Sequence, residues 1–263
     1  MDTYILACVY VLSGILGLCV GSFLNVVIYR LPRKMSLAHP GSHCTACNYS
    51  LKWYDNVPVL SWLILGGKCR WCRAPISLRY TVVELANTAL WLLSVGLFWQ
   101  KEPVYAVISA VVCSVLICVF CIDLEHMLIY NRFVLLIAAA GIVAVFYDSC
   151  TRPIDHIIGA LAGGGVFTLV YFGAIALLKR EGVGFGDVKL VAAAGLLLGW
   201  QKLILAVLLG SVAGSIVMVL LNRLKKRERT TEYPFGPFIA VGILVAMLAG
   251  GQILDWYIGL LMG

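Results

Sequence analysis

Two carboxylates and two cysteine pairs are the residues whose type and placement could do chemistry. Asp187 sits in Gly182-Val183-Gly184-Phe185-Gly186-Asp187-Val188-Lys189, at the mouth of an apolar segment. An ionisable side chain at membrane depth is costly and marks a functional site by default. Asp123, directly after the apolar run Val104–Ile122, is its best partner. A carboxyl pair suits amide hydrolysis, in which one group activates water while the other protonates or polarises the carbonyl. An apolar setting and mutual repulsion split the macroscopic pKa values of such a pair, and those values belong to the dyad rather than to either residue. Two other readings stand beside this one. Asp123 alone fits an interfacial acid that ends a helix, and paired intramembrane acids also serve proton-coupled transporters as relays.

The cysteine pairs are Cys44-Thr45-Ala46-Cys47 and Cys69-Arg70-Trp71-Cys72. Two CxxC knuckles at this separation point to one tetrahedral zinc site, with a redox role as the alternative. His39 and His43 lie near the first pair, but four thiolates already complete the shell. A loop of this size has little core of its own and needs such a staple. Cys8, Cys19, Cys113, Cys118, Cys121 and Cys150 lie in or beside apolar runs at no ligand spacing and are expected to be small core hydrophobes.

The elements that must position these groups are membrane helices. At 62% hydrophobic and 13% charged residues, the chain is far more apolar than a soluble domain. Eight runs approach or exceed the length needed to span a bilayer: Tyr4–Ile28, Tyr80–Trp99, Val104–Ile122, Phe133–Tyr147, Ile157–Leu178, Val188–Trp200, Leu203–Leu221 and Phe235–Leu261. The first lacks a basic n-region and a clear cleavage site, so it is expected to remain as an anchor. The predicted fold is an all-α polytopic bundle of about eight transmembrane helices with a zinc-binding cytoplasmic loop. It divides into a first helix at 1–28, the loop at 29–79, and a bundle carrying the acids at 80–263.

Every Lys and Arg except Lys101, Arg152 and Lys202 falls in loops on one side of this layout. That asymmetry predicts cytoplasmic large loops and both termini outside. The net charge of +7 is then explained by positive-inside sorting and attraction to lipid headgroups, without nucleic acid. Asn222–Thr231 reads as a solvated basic turn.

Val188–Trp200 is short for a span, which places Asp187 well inside the membrane if Trp200 marks the outer boundary. Gly184 and Gly186 beside it let a second chain approach closely, and an extended substrate paired along them would satisfy its polar groups by strand addition. Lys189 either snorkels away from the acids or steadies their charge. Gly159, Gly163 to Gly165, Gly195/Gly199 and Gly210/Gly214 suit close helix crossings.

Taken together, these motifs resemble those of bacterial type IV prepilin peptidases. The resemblance rests on Gly21–Pro32, the paired CxxC loop with Pro58-Val59-Leu60-Ser61-Trp62, Asp123 before Ile129-Tyr130-Asn131, Gly184–Lys189 and Pro234–Phe238. The GxGD element alone specifies only intramembrane aspartyl proteolysis, and the cysteine loop narrows the choice. The resemblance implies Asp123 and Asp187 as catalytic residues and a multi-pass enzyme of the bacterial inner membrane. Its substrates would be type IV prepilins or pseudopilins, cleaved after their basic leader. It further implies S-adenosylmethionine as donor for N-methylation of the new terminus, although no motif locates that donor's site. Tyr130 and Thr45 depart from the proline usual or frequent at those positions.

Overall fold

Prolines and left-handed residues punctuate this chain into helices. The computed structural model describes residues 3–149, 151–179, 184–225 and 234–262. Gly182, Val183, Cys150 and much of the basic turn after Asn222 therefore lie outside the described residues. Two compact units emerge, residues 1–100 and 101–263.

In the first unit, α1 (Thr3–Arg30) packs along α3 (Leu78–Phe98), with the short α2 (Leu60–Ile64) in the loop between them. Glycine makes the close approach possible: a methyl on Gly21 would come within 2.8 Å of the Glu84 Cα, and one on Gly17 within 2.9 Å of the Thr88 Cα. Buried amides then bridge the two helices, Asn87 donating to the Gly17 carbonyl at 2.8 Å and Asn25 to that of Tyr80 at 3.0 Å. Such bonds suit an apolar surround because no water competes for them. The loop docks on α3 through the Val59 N–H, which donates to Glu84 Oε2 at 2.8 Å.

The second unit holds α4 (Pro103–His126), α5 (Asn131–Tyr147), α6 (Pro153–Leu178), α7 (Phe185–Leu198), α8 (Trp200–Lys225) and α9 (Gly236–Met262). Proline opens α4 and α6 at their first turns, where its missing N–H has no helical partner to lose. Left-handed Met127 and Lys179 close those two helices. Helix α7 is the core element, packed by α5, α6, α8 and α9, with Leu190, Val191, Ala194, Leu197 and Leu198 fully buried. Gly159 and Gly195 let α6 meet α7 backbone to backbone. At the α7 to α8 junction, Lys202 Nζ donates to Asp148 at 3.1 Å and Thr151 at 3.0 Å, while Trp200 Nε1 donates to Asp155 at 3.1 Å.

Each expected apolar run is a helix, and six of these helices are long and apolar enough to cross a membrane. The chain is a multi-pass membrane protein. The remaining two, α5 and α7, are shorter at 17 and 14 residues. One expectation is corrected: Cys8 and Cys19 are exposed on α1, whereas Cys113 and Cys118 are buried on α4. Among the described residues α1 packs mainly on α3, and much of its apolar surface, Val11, Leu12, Ile15 and Phe23 included, is exposed.

Candidate functional site

Two clusters gather the residues singled out by type and spacing. The first is the acid pair. Asp123 lies in the last turn of α4 and Asp187 in the first turn of α7, with 5% and 6% of their surfaces exposed. They are near enough for the Asp123 charge to act on Asp187. The Gly184 N–H donates to Asp187 Oδ2 at 3.2 Å, and Asp187 Oδ1 is buried with no hydrogen-bond partner among the described residues.

Asp123 is held from a different direction. The backbone N–H of Gly236, the first residue of α9, hydrogen-bonds its carboxyl. Ile129, in the short stretch between α4 and α5, wedges its side chain against both Gly186 and Gly236. Neither glycine could carry a side chain without moving a neighbour, since a Cβ would stand 3.0 Å from Ile129 at position 186 and 2.5 Å from Asp123 Oδ2 at position 236. The N-termini of α7 and α9 thus meet the acids, and the positive ends of helices favour negative charge there.

Lys189 turns to Asn131, donating to its Oδ1 at 3.1 Å, and lies 4.7 Å above the Phe185 ring. Tyr130 takes φ −76°, a value proline also adopts, so its departure from the resemblance leaves the backbone path intact. Of the neighbouring polar residues, Glu125 is exposed and His126 half-buried.

The second cluster is the cysteine loop, built as two copies of one turn. In the first copy the Cys44 N–H donates to the Tyr49 carbonyl, the Asn48 N–H to that of Cys44 and the Leu51 N–H to that of Ser42. The second copy repeats every one of these bonds with Cys69 to Ala74, Arg73 to Cys69 and Ile76 to Gly67. Asn48 and Arg73 occupy the same left-handed position, at φ 55° and 58°. Tyr49 stacks flat on Trp71 across the two copies, at 4.9 Å between ring centres.

This duplication brings the sulfurs of Cys44, Cys47, Cys69 and Cys72 within 4.8 Å of one another, with Cys44 and Cys72 3.8 Å apart. Four tetrahedral metal–thiolate bonds of about 2.3 Å place the sulfurs about 3.8 Å apart, so the donor set fits a metal ion. Backbone hydrogen bonding at Ala46, and then at Cys47, lowers the Cys44 thiol to about 6, while Cys47, despite the Tyr49 backbone that lowers it, is pushed up to about 12 by burial and by the neighbouring thiols of Cys72, Cys44 and Cys69. His43 instead lies with its Nδ1 3.0 Å from the Gly41 carbonyl.

Sequence reasoning missed three participants. Gly236 was legible only as part of a kinked Pro-Phe-Gly-Pro helix start, and Ile129 only as an apolar residue in a motif. Glu84, a lone acid inside an apolar run, carried a signal that could have found it, because buried acids in such runs are rarely idle.

Known proteins resemble this chain in sequence. The profile of the bacterial peptidase A24 N-terminal domain matches residues 15–98, and that of the type IV leader peptidase family matches residues 110–219. The chain is similar to a prepilin leader peptidase/N-methyltransferase of Aeromonas hydrophila, at 35% identity over 92% of this chain and 91% of the relative. Proteins of the same description from Pseudomonas aeruginosa and Myxococcus xanthus are 34% and 38% identical, over 93% and 84% of this chain and 91% and 67% of their own lengths. No solved structure matches.

Proposed function

The chain belongs to the type IV leader peptidase family, and from that membership we propose that it removes the basic leader of type IV prepilins or pseudopilins as a membrane-embedded aspartyl endopeptidase. Asp123 and Asp187 are the catalytic pair in this reading. The observation that carries it is that both acids, buried at the end of α4 and the start of α7, border the same Ile129 side chain, which lies against Gly186 beside Asp187 and against Gly236 beside the Asp123 carboxyl. One carboxylate takes a proton from water as the water attacks the scissile carbonyl, and the partner acid supplies a proton to the departing amine. The Gly236 N–H keeps the Asp123 carboxyl in place. Exposed Gly184 leaves room for an extended substrate backbone, whereas Gly186 makes room for Ile129. Lys189 steadies the start of α5 through Asn131.

The relatives' description extends the reading to N-methylation of the newly exposed residue. S-adenosylmethionine supplies an electrophilic methyl group to that amine when bound. Zinc is the metal suited to the four cysteines, and it acts as a structural staple for a loop module at 29–79. The distribution of basic residues supports a cytoplasmic position for the loop in a multi-pass protein of the inner membrane, with both termini outside. In this reading lipid is the surrounding solvent, and positive-inside sorting accounts for the net charge of +7 without nucleic acid.

The test uses purified protein in detergent with a prepilin peptide, where no gradient exists and transport cannot occur. Asp123→Asn and Asp187→Asn keep side-chain volume, so each should insert normally and lose cleavage by at least the ~10²–10⁴-fold typical of an acid–base group. Near-normal cleavage by either variant sinks the dyad.

A further inference from the structure

A cavity of about 360 Å³ opens within the first unit. The C-terminal end of α1, the N-terminal end of α3 and the first cysteine turn form its walls, with Asn25, Arg30, Cys44, Asp55, Trp62 and Glu84 among the lining residues. The volume lies within the roughly 300–1,000 Å³ of pockets that enclose a ligand of drug size.

The lining is charged in an unusual way. Glu84 has 7% of its surface exposed and accepts the Val59 N–H, yet no cation pairs with it among the described residues. Asp55 receives Arg70 on Oδ1 at 2.7 Å, but its Oδ2 is buried with no hydrogen-bond partner among the described residues, and its side chain is 1% exposed. A buried carboxylate that lacks a counter-charge is costly, and a cationic ligand removes that cost. Arg30, also buried, donates to the carbonyls of Ser36 at 3.0 Å and Gly41 at 3.2 Å. Those bonds leave it further N–H donors for an anionic group. Trp62 adds an aromatic wall.

An acid without a counter-ion, an arginine with spare donors and an aromatic surface complement a ligand that joins a cation, a carboxylate and a flat heterocycle. S-adenosylmethionine is such a molecule, with its sulfonium, amino-acid end and adenine. We propose that this cavity is the methyl-donor site and that the Glu84 carboxylate recognises the sulfonium charge. The inference rests on the methyltransferase reading above and adds a place to it. It also explains what the metal does there: Cys44, Thr45 and Ala46 line the cavity, so the stapled cysteine turn is one of its walls.

Glu84→Gln keeps the side-chain volume and an acceptor oxygen for the Val59 N–H while removing the charge. Calorimetric titration of the purified full chain with S-adenosylmethionine, and separately with its neutral thioether S-adenosylhomocysteine, isolates that charge. The variant should bind the sulfonium ligand about tenfold more weakly or worse and the thioether within about threefold of wild type. Unchanged binding of both, or equal loss of both, overturns the assignment. Ultraviolet crosslinking of methyl-labelled S-adenosylmethionine to the wild-type protein gives a second measurement, independent of the variant's folding. Label should map to peptides between residues 25 and 84. Label confined to residues 101–263, in protein that still methylates a cleaved prepilin, overturns the cavity and leaves the methyltransferase reading standing. Absence of both binding and methylation overturns that reading and the cavity with it.

Discussion

Replacing Gly236 with alanine adds one methyl group at the point where α9 meets the acid pair. That methyl would lie 2.5 Å from Asp123 Oδ2, 3.0 Å from its Cγ and 3.0 Å from Ile129 Cδ1. Ordinary carbon–oxygen contact needs about 3.5 Å, so the carboxyl must retreat by about 1 Å or rotate off its bond to the Gly236 N–H. Misplacing a reacting group by about 1 Å costs on the order of 10²-fold in rate, or about 2.7 kcal/mol of barrier. Gly236 does not have a positive φ, so alanine can take the same backbone conformation at the start of α9, and the variant should fold and insert. The assay is single-turnover cleavage of a prepilin peptide by detergent-purified protein, with leader loss read by mass spectrometry. Gly251→Ala is the control, on the same helix but with nothing within 4 Å of the added methyl. Cleavage by Gly236→Ala within about threefold of wild type would refute the argument that this glycine sets the Asp123 position.

Other consequences can be measured alongside. Cys69→Ser and Cys72→Ser should each lose zinc by elemental analysis, because structural zinc contributes on the order of ten kcal/mol of folding free energy to its loop. Methyl transfer should fall more than leader cleavage in both variants, since the acids stand on helices of the other unit; equal loss would count against that division. Gly159→Leu forces a side chain against the Gly195 carbonyl and the Trp200 N, 2.5 and 2.9 Å from its Cβ. Overpacking costs about 1–3 kcal/mol, so thermal unfolding in detergent should shift downward, and an unshifted curve would show that α6 can move away freely. Lys189→Ala removes the bond to Asn131 at the edge of the site and should lower cleavage only a few-fold, with loss comparable to the aspartate variants as the contrary result.

The helices and the four-cysteine cluster were local problems, and the sequence by itself determined them. An apolar run must satisfy its own backbone polar groups in lipid, which leaves helix as the answer at every one of the eight segments. Cys44, Cys47, Cys69 and Cys72 announce themselves because each CxxC turn brings two thiols together within four residues. Asp123 and Asp187 stood out for the converse reason, as charges where charge is expensive. Tertiary packing decided the rest. Nothing near Asp123 in the chain indicates that Gly236 supplies its hydrogen bond; that pairing exists because α9 packs on α4. Ile129 became a wedge only once α7 and α9 brought two bare glycines to its side chain. The exposure of Cys8 and Cys19 likewise depends on which face α1 turns to α3, and an almost uniformly apolar helix carries no stripe from which to read that face. Glu84 shows the same limit, because its worth depends on a cavity that forms only when α1, α3 and the folded cysteine turn close around it.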